Sequence, residues 1–411
     1  MKKILMFITL ISTLQIVHSQ DTKKVLFLGN SYTAANNLPN LISQMATNTG
    51  DVLIYDSNTP GGHRLMNHAS NNTTTNKINS DDWDFVTLQA QSQETSFSQA
   101  QMEIELYPFA SQLVNTIRTN YNCSQPLFYM TWGRENGDNN NCAFIPWVCT
   151  YEGMDDAIRS AYIFMAEENT SEVAPVGAIW RYLRTNHPEI DLYTNDGSHP
   201  SLAGSYAAAC AFYTMIFKKD PTLITWNSSL NETHANTIKL ATKTIVYNII
   251  NDWDYTANFN YTIDDNYVTF TNDYPADSVS WNFGDGLNSV EDNPTHIYES
   301  IGDFEVILTI TSCGRTHVVT KTVSITSLSI NDYSFEKIVV YPNPALNELH
   351  IKGINKSHLK AKLYNVLGQE IKSFMVIGNT TLSISDIENG TYFLKIFQNN
   401  NTSIIKRIIK Q

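Results

Sequence analysis

The chain has 411 residues, of which 42% are hydrophobic and 11% aromatic. This apolar content is ample for globular folding. The length is too great for one ordinary core, so two or three domains are expected. It carries 27 Lys and Arg residues against 40 Asp and Glu residues, a net charge of -13. This acidic balance argues against a basic nucleic-acid-binding surface, and we predict no nucleic-acid partner.

Residues 1–19 have the layout of a secretory signal peptide. Two lysines precede an apolar run that extends to Leu14, and cleavage is expected after Ser19. No other stretch reaches the ~18 to 20 apolar residues that a membrane span requires. We therefore predict an exported protein with no membrane span after cleavage.

The apolar run at residues 25–28 predicts a buried strand, which is followed by Gly29, Asn30 and Ser31. Apolar residues at i, i+3, i+4 and i+7 from Leu38 predict a helix next. Ser31 therefore lies in a strand-to-helix turn, where the active sites of open α/β sheets are found. A lone serine in a turn is a common helix cap, so its meaning depends on partners elsewhere.

Strands and helices continue to alternate as far as residue 250. Buried strands are predicted at residues 51–55, 85–89 and 127–130, with a short apolar element at 173–176. Helices are predicted at residues 99–120, 154–168, 205–217 and 236–250. The alternation predicts an α/β fold, a doubly wound parallel sheet of the flavodoxin-like kind.

Asp196 and His199 lie three residues apart on the loop before the helix at 205–217. A serine hydroxyl needs a base to become a nucleophile, and a histidine base needs an acceptor on its other ring nitrogen. Ser31, His199 and Asp196 supply these three roles.

Two stretches carry a family resemblance that covers roughly residues 22–250. Gly29-Asn30-Ser31 resembles the Gly-Asp-Ser block of the SGNH/GDSL hydrolases, and Asp196 with His199 resembles their Asp-x-x-His block. The resemblance implies an esterase with these three residues as its catalytic triad and no metal or organic cofactor. No Cys/His set has the spacing of a zinc site.

The resemblance also implies an oxyanion hole formed by the Ser31 N–H, a glycine N–H and an asparagine side chain. Adjacent glycines allow close backbone approach, and Gly62 is the first choice with Gly61 the second, although an ordinary glycine turn fits nearly as well. This chain departs from the family's Gly-x-Asn-Asp block. The asparagine position falls on Gln93, with Gln91 as the alternative, and either glutamine retains an amide donor.

Residues that follow the strand ends are candidates for substrate contact. Aromatic faces stack on sugar rings or acyl groups and arginine holds an anion, which favours His63, Arg64, Trp132 and Arg134, with Trp147 on the loop beyond. Each of these residue types is more often found in packing or on the surface than at a ligand.

The cysteines leave the redox chemistry open. Cys142 and Cys149 bracket a short loop and are equally compatible with a disulfide and with free thiols in an oxidising compartment. Cys210 lies in an apolar helix and is expected to be a small core residue.

Short alternating strands begin at Tyr255. Residues 281–286 read Trp-Asn-Phe-Gly-Asp-Gly and residues 296–298 read His-Ile-Tyr, which closely resembles a PKD domain, a small β-sandwich. Such modules imply spacing, or weak contact with glycans or proteins.

Residues 337–411 contain further strands separated by Pro, Asn and Gly turns, which predict a second β-sandwich. With the terminal Lys406-Arg407 cluster, this segment resembles the type A C-terminal sorting domain of the type IX secretion system. The resemblance implies a Bacteroidota-type bacterium, contact with the type IX secretion machinery, and release or surface attachment. The predicted boundaries are 1–19, 20–253, 254–327 and 328–411.

Together these patterns predict a secreted serine esterase that acts through an acyl-enzyme. Exported enzymes of this family joined to β modules resemble carbohydrate O-acetylesterases, so an acetylated glycan is the expected substrate. One alternative is a lipase or general acyl esterase. Another is a surface glycan-binding protein with an inactive hydrolase fold, against which the intact Ser31, Asp196 and His199 weigh.

Overall fold

The structure is a computed structural model that describes residues 20–274, 276–328, 338–354, 358–397 and 403–411. The predicted signal peptide at 1–19 lies outside the described residues. The chain divides into two compact units. The first comprises the chain up to Asn258 with Tyr274–Ser278 and Thr309–Val319, and the second comprises the segments between and after these.

The first unit is built on a five-stranded sheet in the order β2-β1-β3-β4-β5, with all neighbours parallel. The strands are β1 (Thr22–Leu28), β2 (Val52–Asn58), β3 (Phe85–Leu88), β4 (Gln125–Tyr129) and β5 (Glu172–Ala174). Val25 of β1 is paired with Tyr55 of β2 on one side and Phe85 of β3 on the other. This strand order confirms the predicted flavodoxin-like doubly wound sheet.

Ten α-helices are described in the first unit. They are α1 (Ser31–Ala34), α2 (Leu38–Asn48), α3 (Leu65–Ala69), α4 (Asn72–Ile78), α5 (Gln99–Glu105), α6 (Tyr107–Asn120), α7 (Tyr151–Glu168), α8 (Val176–Asn186), α9 (Leu202–Phe217) and α10 (Glu232–Ile245). Every residue of α9 from Ala203 onward is buried, because this helix is apolar on all sides and lies in the core. None of the described helices is long and apolar enough to span a membrane.

The helix predicted over residues 99–120 is divided into α5 and α6 at Leu106. Pro108 lies in the first turn of α6, where backbone N–H groups have no acceptor within the helix, so its missing N–H costs no hydrogen bond. Inside one continuous helix the same residue would remove a hydrogen bond and clash with the preceding turn. The prediction of a single helix was therefore wrong at this position.

The second half of the chain consists of short strands in four sheets. Residues 259–325 contain β6 (Phe259–Asp264), β7 (Tyr267–Asn272), β8 (Ser278–Asn282), β9 (Asn288–Ser289), β10 (Thr295–Ile297), β11 (Gly302–Ser312) and β12 (Arg315–Ile325). Their sheets have the orders β10-β7-β6 and β12-β11-β8-β9. Trp281 is fully buried between Phe259 and Phe270, and Phe283 stacks on His296 at 4.1 Å.

The C-terminal strands also form two sheets, in the orders β13-β14-β17 and β16-β15-β18-β19. The strands are β13 (Val339–Tyr341), β14 (Glu348–Lys352), β15 (His358–Asn365), β16 (Glu370–Ile377), β17 (Thr380–Ser383), β18 (Gly390–Phe397) and β19 (Ser403–Lys410). Both β segments confirm the two predicted all-β modules.

The turn between β11 and β12 belongs to the first unit. Cys313 in this turn forms a disulfide with Cys123. Arg315 donates hydrogen bonds to the carbonyl oxygens of Cys123 at 3.0 Å and Asp84 at 2.8 Å. The two cysteines are 190 residues apart and form no recognisable sequence motif, so this disulfide was not predicted.

The sequence left open whether Cys142 and Cys149 are bonded to each other. Cys142 and Cys149 form a disulfide within the loop that follows β4. Cys210 is free and fully buried in α9, which confirms that it is a core residue.

Candidate active site

Ser31, His199 and Asp196 form a continuous hydrogen-bonded chain. Ser31 Oγ lies 2.9 Å from His199 Nε2, and His199 Nδ1 lies 2.5 Å from Asp196 Oδ2. An ionised carboxylate only accepts, so Nδ1 carries the ring hydrogen and Nε2 is left to accept from the serine hydroxyl. This is the arrangement of nucleophile, base and orienting acid that activates a serine.

The carboxylate of Asp196 is held by several donors. Its Oδ1 accepts hydrogen bonds at 2.9 Å from the backbone N–H groups of Ser198 and His199 and from the Thr194 hydroxyl. Partial burial opposes ionisation, but the hydrogen bonds from the His199 ring and backbone and the other donors outweigh it, and the pKa of Asp196 lies well below its usual range. Asp196 therefore stays ionised beside the imidazole.

Ser31 begins α1, and the turn that presents it is fixed by Gln89. The Gln89 Oε1 atom accepts from the Asn30 backbone N–H and the Thr33 hydroxyl, both at 2.9 Å, while its Nε2 donates to Asn30 Oδ1 at 3.0 Å. Gly29 is needed here because a Cβ atom at this position would lie 2.7 Å from Gln89 Oε1. The glutamine thus binds one residue on each side of Ser31, through the backbone of Asn30 and the hydroxyl of Thr33.

Tyr32 joins the serine turn to the histidine loop. Its hydroxyl lies 2.6 Å from Ser198 Oγ, and its ring stacks on Trp132 at 4.9 Å, which in turn stacks on Trp180 at 3.7 Å. Trp132 also donates from Nε1 to the Ser198 carbonyl at 3.1 Å. Trp132 is fully buried, so the prediction that it forms a wall for substrate was wrong; it supports the residues beside His199.

The segment after β2 approaches the serine turn through its backbone. Gly62 is exposed with φ +71°, and the His63 carbonyl accepts from Asn30 Nδ2 at 2.9 Å. The neighbouring His68 is buried, which lowers its pKa, and its Nε2 donates to the Gly29 carbonyl at 2.8 Å. The neutral His68 ring therefore holds the end of β1 in place.

Gln93 and Arg134 meet at one buried carboxylate. Gln93 Nε2 donates to Asp138 Oδ2 at 2.6 Å, and Arg134 Nη1 donates to Asp138 Oδ1 at 3.1 Å. The Gln91 side chain accepts from the Gln93 backbone N–H at 2.8 Å. One hydrogen of the Gln93 amide is thus committed to Asp138, while a primary amide carries a second.

Arg64 is also engaged within the protein. Its Nε donates to Glu94 Oε2 at 2.6 Å and its Nη2 to Glu105 Oε2 at 2.9 Å. Glu94 is 1% exposed, and burial raises its pKa despite the guanidinium. Two of the five N–H donors of Arg64 are thus paired with carboxylates, and its side chain is 26% exposed, so its predicted contact with substrate stays a prediction.

A buried acid lies behind the Gly133 peptide. Asp155 Oδ1 accepts from the Gly133 N–H at 3.1 Å, and its Oδ2 pairs with Arg181 Nε at 2.7 Å. Burial raises the pKa of Asp155 to about 6, against the attraction of Arg181. Tyr193 completes the contact by donating its hydroxyl to the Gly133 carbonyl at 2.6 Å.

Sequence patterns missed Gln89, Tyr32 and Trp180 as contributors to the site. Gln89 closes the apolar run of β3, where a buried polar residue at a strand end was the available signal. Tyr32 is adjacent to the nucleophile but gives no separate motif. Trp180 lies on α8, a helix that the sequence did not predict.

Two family models match the second half of the chain. A model described as PKD domain matches residues 255–327, and one described as secretion system C-terminal sorting domain matches residues 339–411. The chain contains both modules. The sorting domain is of the type IX kind and marks a secreted or cell-surface protein.

Similarity to individual proteins is limited. Over 72 residues the chain is 42% identical to a microbial collagenase from Vibrio alginolyticus, and the match spans 16% of this chain and 9% of the collagenase. A solved DUF4886 family protein from Bacteroides uniformis is 20% identical with a TM-score of 0.46, covering 56% of this chain and 95% of its own. A family 3 carbohydrate esterase from Clostridium thermocellum is 14% identical with a TM-score of 0.30, and the match covers 47% of this chain and 94% of the esterase chain.

Proposed function

We propose that the protein is a serine esterase that acts through an acyl-enzyme. The observation that carries the proposal is the hydrogen-bonded chain from Ser31 Oγ through His199 to Asp196, with distances of 2.9 Å and 2.5 Å. His199 takes the serine proton as Oγ attacks the ester carbonyl, then returns it to the departing alcohol. Water enters by the same path and releases the acid.

The oxyanion donors belong to the proposal as well. The N–H groups of Ser31 and Gly62 and the second amide hydrogen of Gln93 are the proposed set, with Gly61 and Gln91 as the alternatives. The hydrogen bond from Gln93 to Asp138 supports this role by fixing the amide plane. One such donor is worth ~10² to 10³ in kcat, so Gln93→Ala and Gln91→Ala distinguish the two glutamines.

We further propose that the substrates are O-acetyl esters of carbohydrates or polysaccharides. The His199 and Asp196 side chains are 40% and 50% exposed, and such an open site admits a small substituent on a large polymer. His63, Arg64 and Arg134 remain proposed substrate contacts, as does Trp147, which is 43% exposed on the loop closed by the Cys142–Cys149 disulfide. No metal or organic cofactor enters the proposed reaction.

Export is proposed to begin with a signal peptide at residues 1–19 and to end with release or surface attachment through the sorting domain in a Bacteroidota-type bacterium. The proposed hydrolase segment is 20–253, the PKD-like segment 254–327 and the sorting segment 328–411. Contact with the type IX secretion machinery is assigned to the last of these.

The deciding experiment is hydrolysis of p-nitrophenyl esters from acetate to octanoate by the full-length protein. Ser31→Ala is expected to lower kcat by ~10⁴-fold or more, because the nucleophile is lost. Ser160→Ala, at an exposed position on α7, is the matched control and is expected to leave kcat unchanged.

The chain-length profile tests the substrate class. A steep fall beyond acetate, followed by acetate release from acetylated xylan, supports the polysaccharide proposal. A preference for long chains supports a lipase or general acyl esterase instead. Turnover that survives in Ser31→Ala, or none on any ester, contradicts the serine esterase and favours an inactive fold that binds glycans.

A further inference from the structure

A buried carboxylate at the edge of the parallel sheet lacks part of its hydrogen bonding. Glu172 on β5 is fully buried, and its Oε2 pairs with Lys218 Nζ at 2.5 Å. Its Oε1 atom has no hydrogen-bond partner among the described residues. Buried polar atoms are nearly always satisfied, and an unmade bond to such an atom is costly, so this oxygen requires an explanation.

Two further metal-ligating side chains face the same place. His317 Nδ1 lies 2.7 Å from Asp254 Oδ2, and both side chains are less than a tenth exposed. One donor atom from each of Glu172, Asp254 and His317 lies within 4.8 Å of the others. All three residues belong to the first compact unit, on β5, on the segment after α10 and on β12.

Two carboxylates and one imidazole meet at this place, and the Lys218 ammonium is paired with only one oxygen of Glu172. The Lys218 and His317 pairs account for one oxygen of each carboxylate. Glu172 Oε1 is left without a hydrogen-bond donor in the described part of the chain, and one oxygen of Glu172 lies within 4.8 Å of the ligand atoms of Asp254 and His317.

We propose that Glu172, Asp254 and His317 bind a divalent transition-metal ion, with Zn²⁺ as the best fit. An imidazole combined with two carboxylates suits zinc, whereas Ca²⁺ and Mg²⁺ prefer all-oxygen sites. Zinc lies about 2.0 to 2.2 Å from such ligands, so donor atoms in a tetrahedral site are about 3.4 Å apart. The donor atoms here lie within 4.8 Å of one another, so the widest pair closes by at most about 1.4 Å when the ion binds.

Binding replaces the proton that His317 shares with Asp254 and gives Glu172 Oε1 its partner. Lys218 keeps its bond to Glu172 Oε2 and fixes the orientation of the carboxylate, as the outer partners of metal ligands do. The ion cross-links three separated segments of the first unit. It contributes to stability and takes no part in chemistry at Ser31, so this inference is independent of the proposed esterase.

The test is zinc titration of the full-length protein, freed of metal with a chelator, by calorimetry and by thermal unfolding. We expect one zinc ion bound, a higher Tm with zinc, and much weaker binding of Ca²⁺. Glu172→Gln keeps the shape of the side chain and is expected to weaken the zinc affinity at least ~tenfold, as is His317→Asn.

The matched control is His296→Asn. His296 forms the other largely buried His–Asp contact, with Asp285 at 2.6 Å, but no metal-ligand cluster is found around it in the described chain. This variant is expected to keep the zinc equivalent. The proposal is overturned if the wild type binds no zinc, or if Glu172→Gln and His317→Asn bind zinc with wild-type affinity. It is also overturned if His199→Asn is the variant that no longer binds the zinc ion while the other variants still do. Equal affinity for Ca²⁺ overturns the choice of a transition metal.

Discussion

Replacement of Gln89 by leucine tests whether the serine turn is held by this one buried side chain. Leucine has a similar volume but accepts no hydrogen bond, so the Asn30 N–H and the Thr33 hydroxyl lose the acceptor that each contacts at 2.9 Å. A buried polar group left unpaired costs ~1 to 3 kcal/mol. We therefore expect Gln89→Leu to lower the free energy of unfolding by about 2 to 6 kcal/mol.

The assay is urea unfolding of the full-length protein, together with kcat on p-nitrophenyl acetate. Ser31 follows Asn30 directly, so a displaced turn is expected to reduce kcat more than it changes KM. Gln112→Leu, at an exposed position on α6, is the control, with an expected change within ~0.5 kcal/mol. A loss of stability in Gln89→Leu as small as in this control, with kcat retained, would refute the reasoning.

Two further predictions concern the support of the site. Tyr32→Phe keeps the stack on Trp132 but removes the 2.6 Å hydrogen bond to Ser198, so kcat is expected to fall by about two- to tenfold with little change in Tm; an unchanged kcat contradicts the role. Burial raises the pKa of Asp155 from 3.8 to about 6, so the folded state binds the carboxyl proton more tightly than the unfolded state does. The protonated carboxyl therefore stabilises the fold at low pH, and this contribution is lost as the pH rises from about 4 to 6. The loss is about 3 kcal/mol at pH 7 relative to pH 3, and Asp155→Asn is expected to remove it, as unfolding measured at several pH values would reveal; the same pH slope in both proteins contradicts the assignment.

The parts of the fold that depend on local pattern could be predicted. The four apolar residues at 25–28 are buried on both faces, as in the central strand of a parallel sheet, and this burial is visible as an unbroken apolar run. Asp196 and His199 are close in sequence, so their pairing needs only one turn of chain. Ser31 was assigned to the same site because its block and the Asp196–His199 block occur in the same order as in the family they resemble, since the sequence alone does not show that they are close in space.

Properties that depend on distant partners could not be predicted. Trp132 was taken for a substrate contact because an aromatic residue at a strand end has that use, whereas its burial depends on Trp180 from a helix that the sequence did not indicate. The two ion pairs that Arg64 forms with Glu94 and Glu105 were also not predicted, since residues 30 and 41 positions away give no local signal. Side-chain orientation is decided by packing between elements, which no single segment encodes.

The β11–β12 turn affects any attempt to isolate the proposed hydrolase segment, residues 20–253. A polypeptide that stops at residue 253 lacks Cys313, so its Cys123 has lost its disulfide partner. The chain-entropy relation assigns a disulfide that closes a loop of this length about 5 kcal/mol of stabilisation. In a secreted protein, the Cys123–Cys313 disulfide can form only after residue 313 has crossed the membrane. The parallel-sheet segment is thus cross-linked to the β11–β12 turn only after most of the chain has left the cell interior.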